Sequence, residues 1–397
     1  MIQAEIKKNI FWVGVVDWNI RYFHGPMYTT HRGTTYNSYL LLDEQPTLVD
    51  TVFTPFSEDL LNNIRAVIDP KQLKYIVVNH VEMDHSGALP AVMEAAPQAT
   101  ILCSEKAAPS IDKHFSSSWK KQIMKSGDTV SIGKRTLAFV EAPMLHWPDS
   151  MFTYIPEEKL LLPNDAFGQH IASSARFDDE VDMTEVMQEA KKYYANILLP
   201  FSSLVLKKIE EVVEMGIEID MIAPSHGIIW RNDPGKIINA YVEWAKGTNK
   251  NKATVVYDTM WDSTDKMAHA IASGLVEGGM EVKIFRMSVS DRNDVIAEVM
   301  DSELLVVGSP TINREFIPAL SAFLDDLMGL KPKNKRAALF GSSGWSRGAT
   351  KQMDERVKKA GFTLHDETME VYWVPGEEEL QQCSEFGKKL AAGANIE

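Results

Sequence analysis

The fold of this chain is decided by the stretch Asn79-His80-Val81-Glu82-Met83-Asp84-His85-Ser86-Gly87. It follows the apolar run Tyr75-Ile76-Val77-Val78, which predicts a buried strand, and Gly87-Ala88-Leu89-Pro90 then predicts the start of a helix. Four side chains able to bind a metal therefore lie within six residues, between a strand and a helix. Because loops at strand ends bring imidazoles and carboxylates together from several directions, the stretch favours a metal site over an ordinary polar loop.

Three further candidate ligands occupy the same kind of position, at or just past the end of an apolar run. His146 comes after the predicted strand 136–141, and Asp165 comes after the second arm of a predicted hairpin. His226 follows an apolar run that begins at Asp220. Any one of these residues alone would more often be structural, so the signal is their repeated placement at strand ends. The candidate ligands are His80, Glu82, Asp84, His85, His146, Asp165 and His226.

The type and number of these side chains constrain the metal. Three imidazoles and three carboxylates, with His85 as a seventh candidate, are too many for one tetrahedral zinc and suit two metals that share a carboxylate. Oxygen-rich sets with histidines favour iron or manganese, although ligand type alone leaves zinc open. A di-iron site in a helix bundle needs two Glu-x-x-His motifs on helices. Only one occurs here, from Glu82 to His85 on the predicted loop, so that architecture is excluded.

Length and composition indicate the class of protein. The 397 residues suffice for two domains, and 45% hydrophobic with 24% charged residues is ordinary for a soluble protein. The net charge of −14 argues against nucleic acid or an anionic membrane as a partner. Cys103 and Cys383 are too far apart in sequence to indicate a disulfide framework or a Cys-rich metal site, so a reducing cytoplasm is expected. The apolar run at residues 11–16 is too short for a membrane span or a signal peptide.

The pattern changes after the polar run at residues 247–252, which predicts a linker. Strands predicted at 253–257, 282–286, 304–308 and 337–340 alternate with helical segments, an order that favours a doubly wound parallel sheet. Ligands of such sheets bind at the carboxyl ends of the strands. The candidate cofactor-binding residues therefore lie in three loops: Thr259, Met260, Trp261, Asp262, Ser263 and Thr264; Pro310, Thr311, Ile312 and Asn313; and Ser342, Ser343, Gly344 and Trp345.

The first of these loops has the chemistry of a phosphate site. There is neither a Gly-x-Gly-x-x-Gly motif nor a Gly-Lys-Ser/Thr motif, so a dinucleotide or a nucleoside triphosphate is disfavoured. The hydroxyls of Thr259, Ser263 and Thr264 precede a predicted helix, whose N-terminus favours an anion. From the residues alone, a phosphate site and a simple N-cap cluster are about equally supported.

The pattern His-x-Glu-x-Asp-His, followed by single His, Asp and His residues, resembles the flavodiiron proteins (A-type flavoproteins, rubredoxin:oxygen oxidoreductases). The strings Ala142-Pro143-Met144-Leu145-His146-Trp147-Pro148-Asp149-Ser150 and Pro163-Asn164-Asp165 also match, and the resemblance covers almost the whole chain. It implies a two-domain α/β protein. Residues 1–248 would form a metallo-β-lactamase-like αββα sandwich with two irons, and residues 253–397 a flavodoxin-like FMN-binding domain. Glu82 stands where the wider superfamily has a histidine, and its charge suits iron.

Carried over by position, the resemblance implies roles for the individual residues. One iron would be held by His80, Glu82 and His146, the other by Asp84 and His226, with Asp165 bridging. His85 matches a residue that does not always coordinate within the family. Trp345 is favoured over Trp261 for contact with the flavin. A final group ranks below the ligands, as candidates for lining the pocket or supplying protons: His24, His170, Tyr193 and Tyr194.

The resemblance also implies an activity. Electrons would pass from FMN to the irons and reduce O₂ to water or NO to N₂O, protecting against these gases, and the ligand set does not choose between them. Up to Glu397 there is no Cys-x-x-Cys pair for a fused rubredoxin, so a separate donor such as rubredoxin is implied, together with a head-to-tail homodimer or a dimer of dimers. The alternative is a dinuclear zinc hydrolase fused to a flavodoxin-like module. An electron carrier using FMN alone would leave the candidate ligands unexplained.

Overall fold

The computed structural model describes residues 4–393, which form two compact units. The first contains the residues up to Tyr193 together with Ser203–Val242. The second contains Tyr194–Ser202 and the residues from Glu243 onward. The predicted domain limits, 1–248 and 253–397, reach past the described residues at both ends of the chain and stay predictions.

The first unit is built on two sheets. Its strands are β1 Ala4–Lys7, β2 Ile10–Trp12, β3 Val15–Asp17, β4 Tyr22–Phe23, β5 Tyr28–Thr29, β6 Thr34–Tyr36, β7 Tyr39–Leu41, β8 Thr47–Val49, β9 Tyr75–Val78, β10 Thr100–Cys103, β11 Lys121–Ile123, β12 Thr129–Ser131, β13 Thr136–Glu141, β14 Met151–Ile155, β15 Leu160–Leu162 and β16 Met221–Ile222. One sheet has the order β1-β2-β7-β8-β9-β10-β11 and the other β12-β13-β14-β15-β16. Two small pairs, β3 with β6 and β4 with β5, complete the set.

These two sheets share one hydrophobic core, as in a sandwich. Leu41 and Val77 from the first sheet and Phe139 and Met151 from the second belong to the same buried cluster. The period of apolar residues in the flanking segments produces helices that cover the sheets, so the predicted αββα sandwich is confirmed. The helices from this part of the chain are α1 Ser57–Arg65, α2 Met83–Ser86, α3 Leu89–Ala95, α4 Ala107–His114, α5 Met183–Tyr193, α6 Ser202–Glu214 and α7 Pro234–Lys246.

The candidate ligands follow the ends of strands, as the sequence predicts. His80 and Glu82 come directly after β9, His146 comes after β13, Asp165 after β15 and His226 after β16. One detail differs from the prediction. The remaining two candidates lie on the single-turn helix α2 rather than in a loop.

The second unit is a doubly wound sheet, which confirms the predicted fold class. Its strands are β17 Lys250–Tyr257, β18 Glu281–Arg286, β19 Ser302–Ile312, β20 Glu315–Phe316, β21 Arg336–Ser343, β22 Thr363–Leu364 and β23 Met369–Tyr372. The order is β18-β17-β19-β21-β22, with parallel neighbours, while β20 pairs with β19 and β23 with β21. The connecting helices are α8 Ser263–Glu277, α9 Arg292–Asp301, α10 Ser321–Leu330, α11 Ala349–Lys359 and α12 Glu377–Ala391. Within residues 4–393, no helix combines the length and apolar character needed to cross a membrane.

Two segments differ from what the sequence suggests. The second half of the predicted linker at 247–252 is strand, because β17 begins at Lys250. The apolar run at residues 11–16 is not one strand, because it is interrupted at Gly14, which lies so close to β6 that a Cβ atom there would sit 2.2 Å from the carbonyl oxygen of Tyr36. Only glycine allows this approach, and the chain continues in a second short strand beyond it.

Candidate metal centre and flavin-binding loops

The seven candidate ligands meet in two adjacent sets. In one set, donor atoms of His80, Glu82, His146 and Asp165 all lie within 4.8 Å of one another. In the other, donor atoms of Asp84, His85 and His226 do the same. All seven side chains are buried except that of Glu82, which is 15% exposed. The structure therefore brings together every residue predicted to bind metal.

Asp165 lies between the two sets and turns one oxygen toward each. Its Oδ2 is 3.4 Å from Nε2 of His146 in the first set. Its Oδ1 is 3.0 Å from Nε2 of His85 and 3.5 Å from Nε2 of His226 in the second. A carboxylate in this position has the geometry to bind two cations at once.

His85 points its ring into the second set. Its Nε2 lies 3.1 Å from Oδ2 of Asp84, and Nε2 of His226 lies 3.0 Å from the same oxygen. Two imidazoles and two carboxylate oxygens thus converge there. The geometry favours His85 as a ligand.

Two of the histidines are oriented from outside by hydrogen bonds. Nδ1 of His80 is 2.9 Å from Oδ2 of Asp149, which also accepts the backbone N–H of Val81 at 2.8 Å. Nδ1 of His226 donates to the carbonyl oxygen of Thr35 at 2.7 Å. Because the outer nitrogen is occupied in each ring, Nε2 is left to face the centre. Sequence reasoning missed Asp149, whose only signal was its place in the string after His146.

The electrostatics of the cluster favour added positive charge. Although burial raises the pKa of Glu82 and Asp165, the surrounding histidines hold the pKa of both carboxyls far below the usual value. Burial lowers the pKa of His85 and His146, but the neighbouring carboxylates raise both to about 9. Without metal, protons on the imidazoles balance the carboxylates. Cations would replace those protons.

Orphaned polar atoms show that the residues fit a pair of cations. Both carboxylate oxygens of Asp84 and Oδ2 of Asp165 are buried without a hydrogen bond in residues 4–393. A buried carboxylate oxygen that lacks a hydrogen bond is costly, and metal coordination removes the cost. The oxygen-rich donor set with histidines suits iron.

The three predicted flavin loops lie at the carboxyl ends of β17, β19 and β21. Oγ1 of Thr259 is buried and has no hydrogen-bond partner in the described part of the chain. The first loop turns at Asp262, where φ is 61°, and leads into α8. It is joined to the third loop by a 3.0 Å hydrogen bond between the hydroxyls of Thr264 and Ser342. A free hydroxyl beside the N-terminus of a long helix fits a phosphate group.

The other two loops line one cavity. The cavity has a volume of about 280 Å³ and is bordered by Thr311, Asn313, Arg314, Gly344, Trp345 and Ser346. Trp345 is thus placed at the cavity, whereas Trp261 is not among its lining residues and is 82% exposed. Sequence reasoning missed Arg314 and Ser346. It also missed Trp373, whose ring centroid is 5.8 Å from that of Trp345.

Comparison with known proteins agrees with the two-domain fold. The family model described as the ODP family beta lactamase matches residues 34–227, and the flavodoxin model matches residues 255–387. A nitric oxide reductase from Moorella thermoacetica is 58% identical over 391 residues, which cover 98% of each chain. The chain belongs to the flavodiiron protein family.

Solved flavodiiron structures share the whole architecture. The rubredoxin:oxygen oxidoreductase from Desulfovibrio gigas matches with a TM-score of 0.96 at 38% identity, covering 99% of this chain and 98% of that one. The flavodiiron protein from Giardia intestinalis matches with a TM-score of 0.95 at 38% identity, covering 99% and 96%.

Three of the four pocket candidates of this flavodiiron protein lie beside the centre. Nε2 of His24 is 3.0 Å from Oε1 of Glu82. The ring of His170 is centred 4.6 Å from that of His226 and 5.2 Å from that of Tyr193. Burial and the neighbouring histidines lower the pKa of His170, so this imidazole is neutral. For Tyr194 the structure records a different contact, between its hydroxyl and that of Ser202 at 3.1 Å.

Proposed function

We propose that this flavodiiron protein is an oxidoreductase that reduces a small gas, NO to N₂O or O₂ to water, at a di-iron site supplied with electrons through FMN. The observation that carries the proposal is the position of Asp165, with one oxygen facing each of two buried ligand sets. Relatives named as a nitric oxide reductase and a rubredoxin:oxygen oxidoreductase support this class of reaction.

Within the proposed site, His80, Glu82 and His146 would hold one iron and Asp84, His85 and His226 would hold the other, with Asp165 contributing to both. When bound, the irons would supply the redox chemistry and FMN would deliver the electrons. The chain itself holds the ligand side chains in place and limits the access of water to the site. Phe23 contributes to that, since its buried ring lies 4.5 Å from the ring of His170 and 5.6 Å from that of His226.

The FMN phosphate is proposed to bind at the loop 259–264. Thr259 would donate its free hydroxyl, and the backbone N–H groups at the start of α8 would add the favourable end of the helix dipole. The charge of the preceding Asp258 is partly compensated, because its carboxylate accepts the backbone N–H groups of Thr259 and Ser288, both at 2.7 Å. The isoalloxazine is assigned to the cavity beside Trp345.

We infer the partners from the proposed arrangement, in which a domain of residues 1–248 holds the irons and a domain of residues 253–397 holds FMN. A separate electron donor is proposed, with rubredoxin named because of the Desulfovibrio relative. A head-to-tail homodimer, or a dimer of dimers, is supported by exposed apolar side chains next to both sites. Met83 and Trp147 are 37% and 38% exposed near the ligands, and Trp345 and Trp373 are 83% and 55% exposed near the flavin cavity.

A reducing cytoplasm is the proposed location. Cys103 and Cys383 are both free and buried, so neither is arranged for a disulfide.

The dinuclear zinc hydrolase is the alternative that this proposal must exclude. The purified protein should be yellow and carry about two irons per chain, and a reduced donor should support turnover of NO, O₂ or both. Turnover of each gas is compared with the same donor at the same concentration, which also settles the preference between them. Stoichiometric zinc, with gas reduction unaffected by iron removal, would overturn the proposal.

A further inference from the structure

The hairpin formed by β19 and β20 carries an arginine whose backbone is left-handed. The two residues that connect the strands are Asn313 and Arg314, with φ of 53° and 67°. Positive φ at both positions is the type I′ pattern, which favours asparagine at the first position and glycine at the second. Arginine at the second position therefore holds backbone strain that glycine would avoid. Strain of this kind clusters at binding sites, where the side chain has a use that offsets it.

The position of this turn is fixed by the segment that follows the third flavin loop. A Cβ atom at Gly348 would lie 2.3 Å from the carbonyl oxygen of Arg314, so the two backbones are in direct contact. The N–H of Ala349 also donates to the hydroxyl of Thr311 at 3.3 Å. Arg314 is thus held at the edge of the cavity of about 280 Å³, which it borders together with Trp345.

Arg314 differs from the other arginines of the second unit in its charge pairing. The unit has six arginines, and five of them form ion pairs: Arg286 with Asp258, Arg292 with Asp326, Arg336 with Glu303, Arg347 with Glu370 and Arg356 with Asp325. Arg314 is exposed and forms no ion pair within residues 4–393. It is also the one charged side chain among the described residues that border the cavity. The described lining of the cavity therefore carries a single positive charge that no carboxylate neutralises.

Reduction of a flavin creates the charge that such a cation recognises. The oxidised isoalloxazine is neutral. It takes up two electrons, here from the proposed donor, and one proton at N5, and the product carries one negative charge over N1 and the carbonyl oxygen at C2. A nearby cation lowers the free energy of this anion and so raises the reduction potential of the flavin. Since Arg314 is exposed, solvent weakens the attraction, and a modest shift is expected.

We propose that Arg314 is a flavin-binding residue that binds reduced FMN more tightly than oxidised FMN, and so raises the potential at which the cofactor accepts electrons. This inference rests on the proposed FMN site and deepens it. A guanidinium suits the role, because it stays charged and presents several N–H donors to the oxygen and nitrogen atoms of the flavin ring. Glycine at position 314 would relieve the turn but would remove this charge.

The role of the charge is tested in the full-length protein loaded with iron and FMN. Arg314→Gln removes the charge and keeps a long polar side chain, while Arg314→Lys keeps the charge. Lys331→Gln is the matched control, because Lys331 is an exposed cation of the same unit, lies at the end of α10, and has a φ of 48°. An anaerobic spectroelectrochemical titration measures the midpoint potential of the bound flavin in each protein.

Arg314→Gln should weaken the binding of reduced relative to oxidised FMN by roughly three- to ten-fold, which lowers the midpoint potential by about 14 to 30 mV for a two-electron couple. Arg314→Lys and Lys331→Gln should stay within about two-fold of the wild type in the same ratio. A wild-type potential in Arg314→Gln would overturn the inference. So would an equal loss in Arg314→Lys or in the control, because the positive charge at the cavity would then not be the cause.

Replacement by glycine separates a role in flavin binding from a role in folding. Arg314→Gly should lower the flavin potential as Arg314→Gln does. The melting temperature, measured after FMN is removed, should stay the same or rise, because glycine relieves the left-handed backbone. Lys331→Gly is the control and should leave the potential unchanged. A lower melting temperature of flavin-free Arg314→Gly would show that the arginine stabilises the fold, which would overturn its assignment to the flavin.

Failure of this inference is distinct from failure of the proposed function. A wild-type protein that binds no FMN would overturn the proposed function itself. A wild-type protein that binds FMN, and whose flavin potential is unaffected by Arg314→Gln, would overturn only the role of Arg314.

Discussion

At the scale of single residues, Asp165 is the side chain that the two ligand sets share. Its two oxygens face opposite sets, and the pKa of the carboxyl is held far below its usual value despite burial, because His85 and His146 lie against it. No other candidate ligand among residues 4–393 contacts both sets through separate oxygens at these distances. Its removal should therefore affect both metals rather than one.

Asp165→Ala should abolish gas reduction and lower the bound iron below two per chain, while FMN stays bound and reducible in the other domain. Iron analysis, the flavin spectrum and turnover measure these separately. Asp128→Ala, at an exposed aspartate of the same domain, is the control and should change none of them. A variant that loses FMN and keeps its iron would show that the sites are assigned to the wrong domains.

The histidine pKa values predict the pH dependence of the metal-free protein. Against the effect of burial, carboxylates raise the pKa of His85 and His146 from 6.5 to about 9. Their contribution to stability is complete below pH 6.5 and is lost as the pH rises through 9. The melting temperature of iron-free protein should therefore fall by several degrees between these pH values. The melting temperature of iron-loaded protein should fall less, since metal holds the imidazoles neutral. Parallel curves of melting temperature against pH for the two forms would contradict the prediction.

Residues that bind metal directly were predictable, while residues that orient them were not. His80 and Glu82 stand out because few other side chains suit the end of a buried strand. Asp149 has no such signature, because a carboxylate that accepts N–H groups looks in sequence like any turn aspartate. Its role depends on a contact with His80, 69 residues earlier in the chain. Only the folded chain shows this contact.

At the scale of elements, the start of α8 is predicted to provide the phosphate site. Thr259→Val removes the free hydroxyl and keeps the shape of the side chain, so FMN affinity should fall about ten-fold or more, because a hydrogen bond to a charged group contributes about 1.5–3 kcal/mol. Thr363→Val, at an exposed threonine of β22, is the control. Flavin titration measures affinity, and iron content should be the same in both variants. Unchanged FMN binding by Thr259→Val would show that the phosphate binds at another site.

Most element positions were predictable, and the exceptions share a physical cause. The helix predicted to start at residues 87–90 is α3, which begins at Leu89, because the signals that start a helix act at short range. The polar residues at 250–252 suggested a linker, yet the strand includes them, because Lys252 is buried through ion pairs with Asp301 at 2.9 Å and with Glu298. Tertiary charge pairing overrides local composition there.

At the scale of the whole molecule, the proposed homodimer leads to a test by complementation. An iron-deficient variant, His146→Ala, is mixed with a flavin-deficient variant, Ser263→Asp, whose added charge repels phosphate at the start of α8 but suits a helix N-terminus. After subunit exchange, mixed dimers should regain partial activity if electrons pass from the flavin of one chain to the irons of the other. Each variant alone is the control. Mixed dimers confirmed by mass that stay inactive would refute transfer between chains.

The burial of both cysteines has a consequence for an enzyme that handles nitric oxide or oxygen. Burial raises the pKa of Cys103 and of Cys383 to about 12, so only about one thiol in 10⁵ is ionised at pH 7. S-nitrosation and oxidation by reactive gas products act chiefly on accessible thiolates. Both thiols are therefore protected from modification by the gases that the enzyme reduces. After prolonged turnover, mass spectrometry should detect no modification of either cysteine.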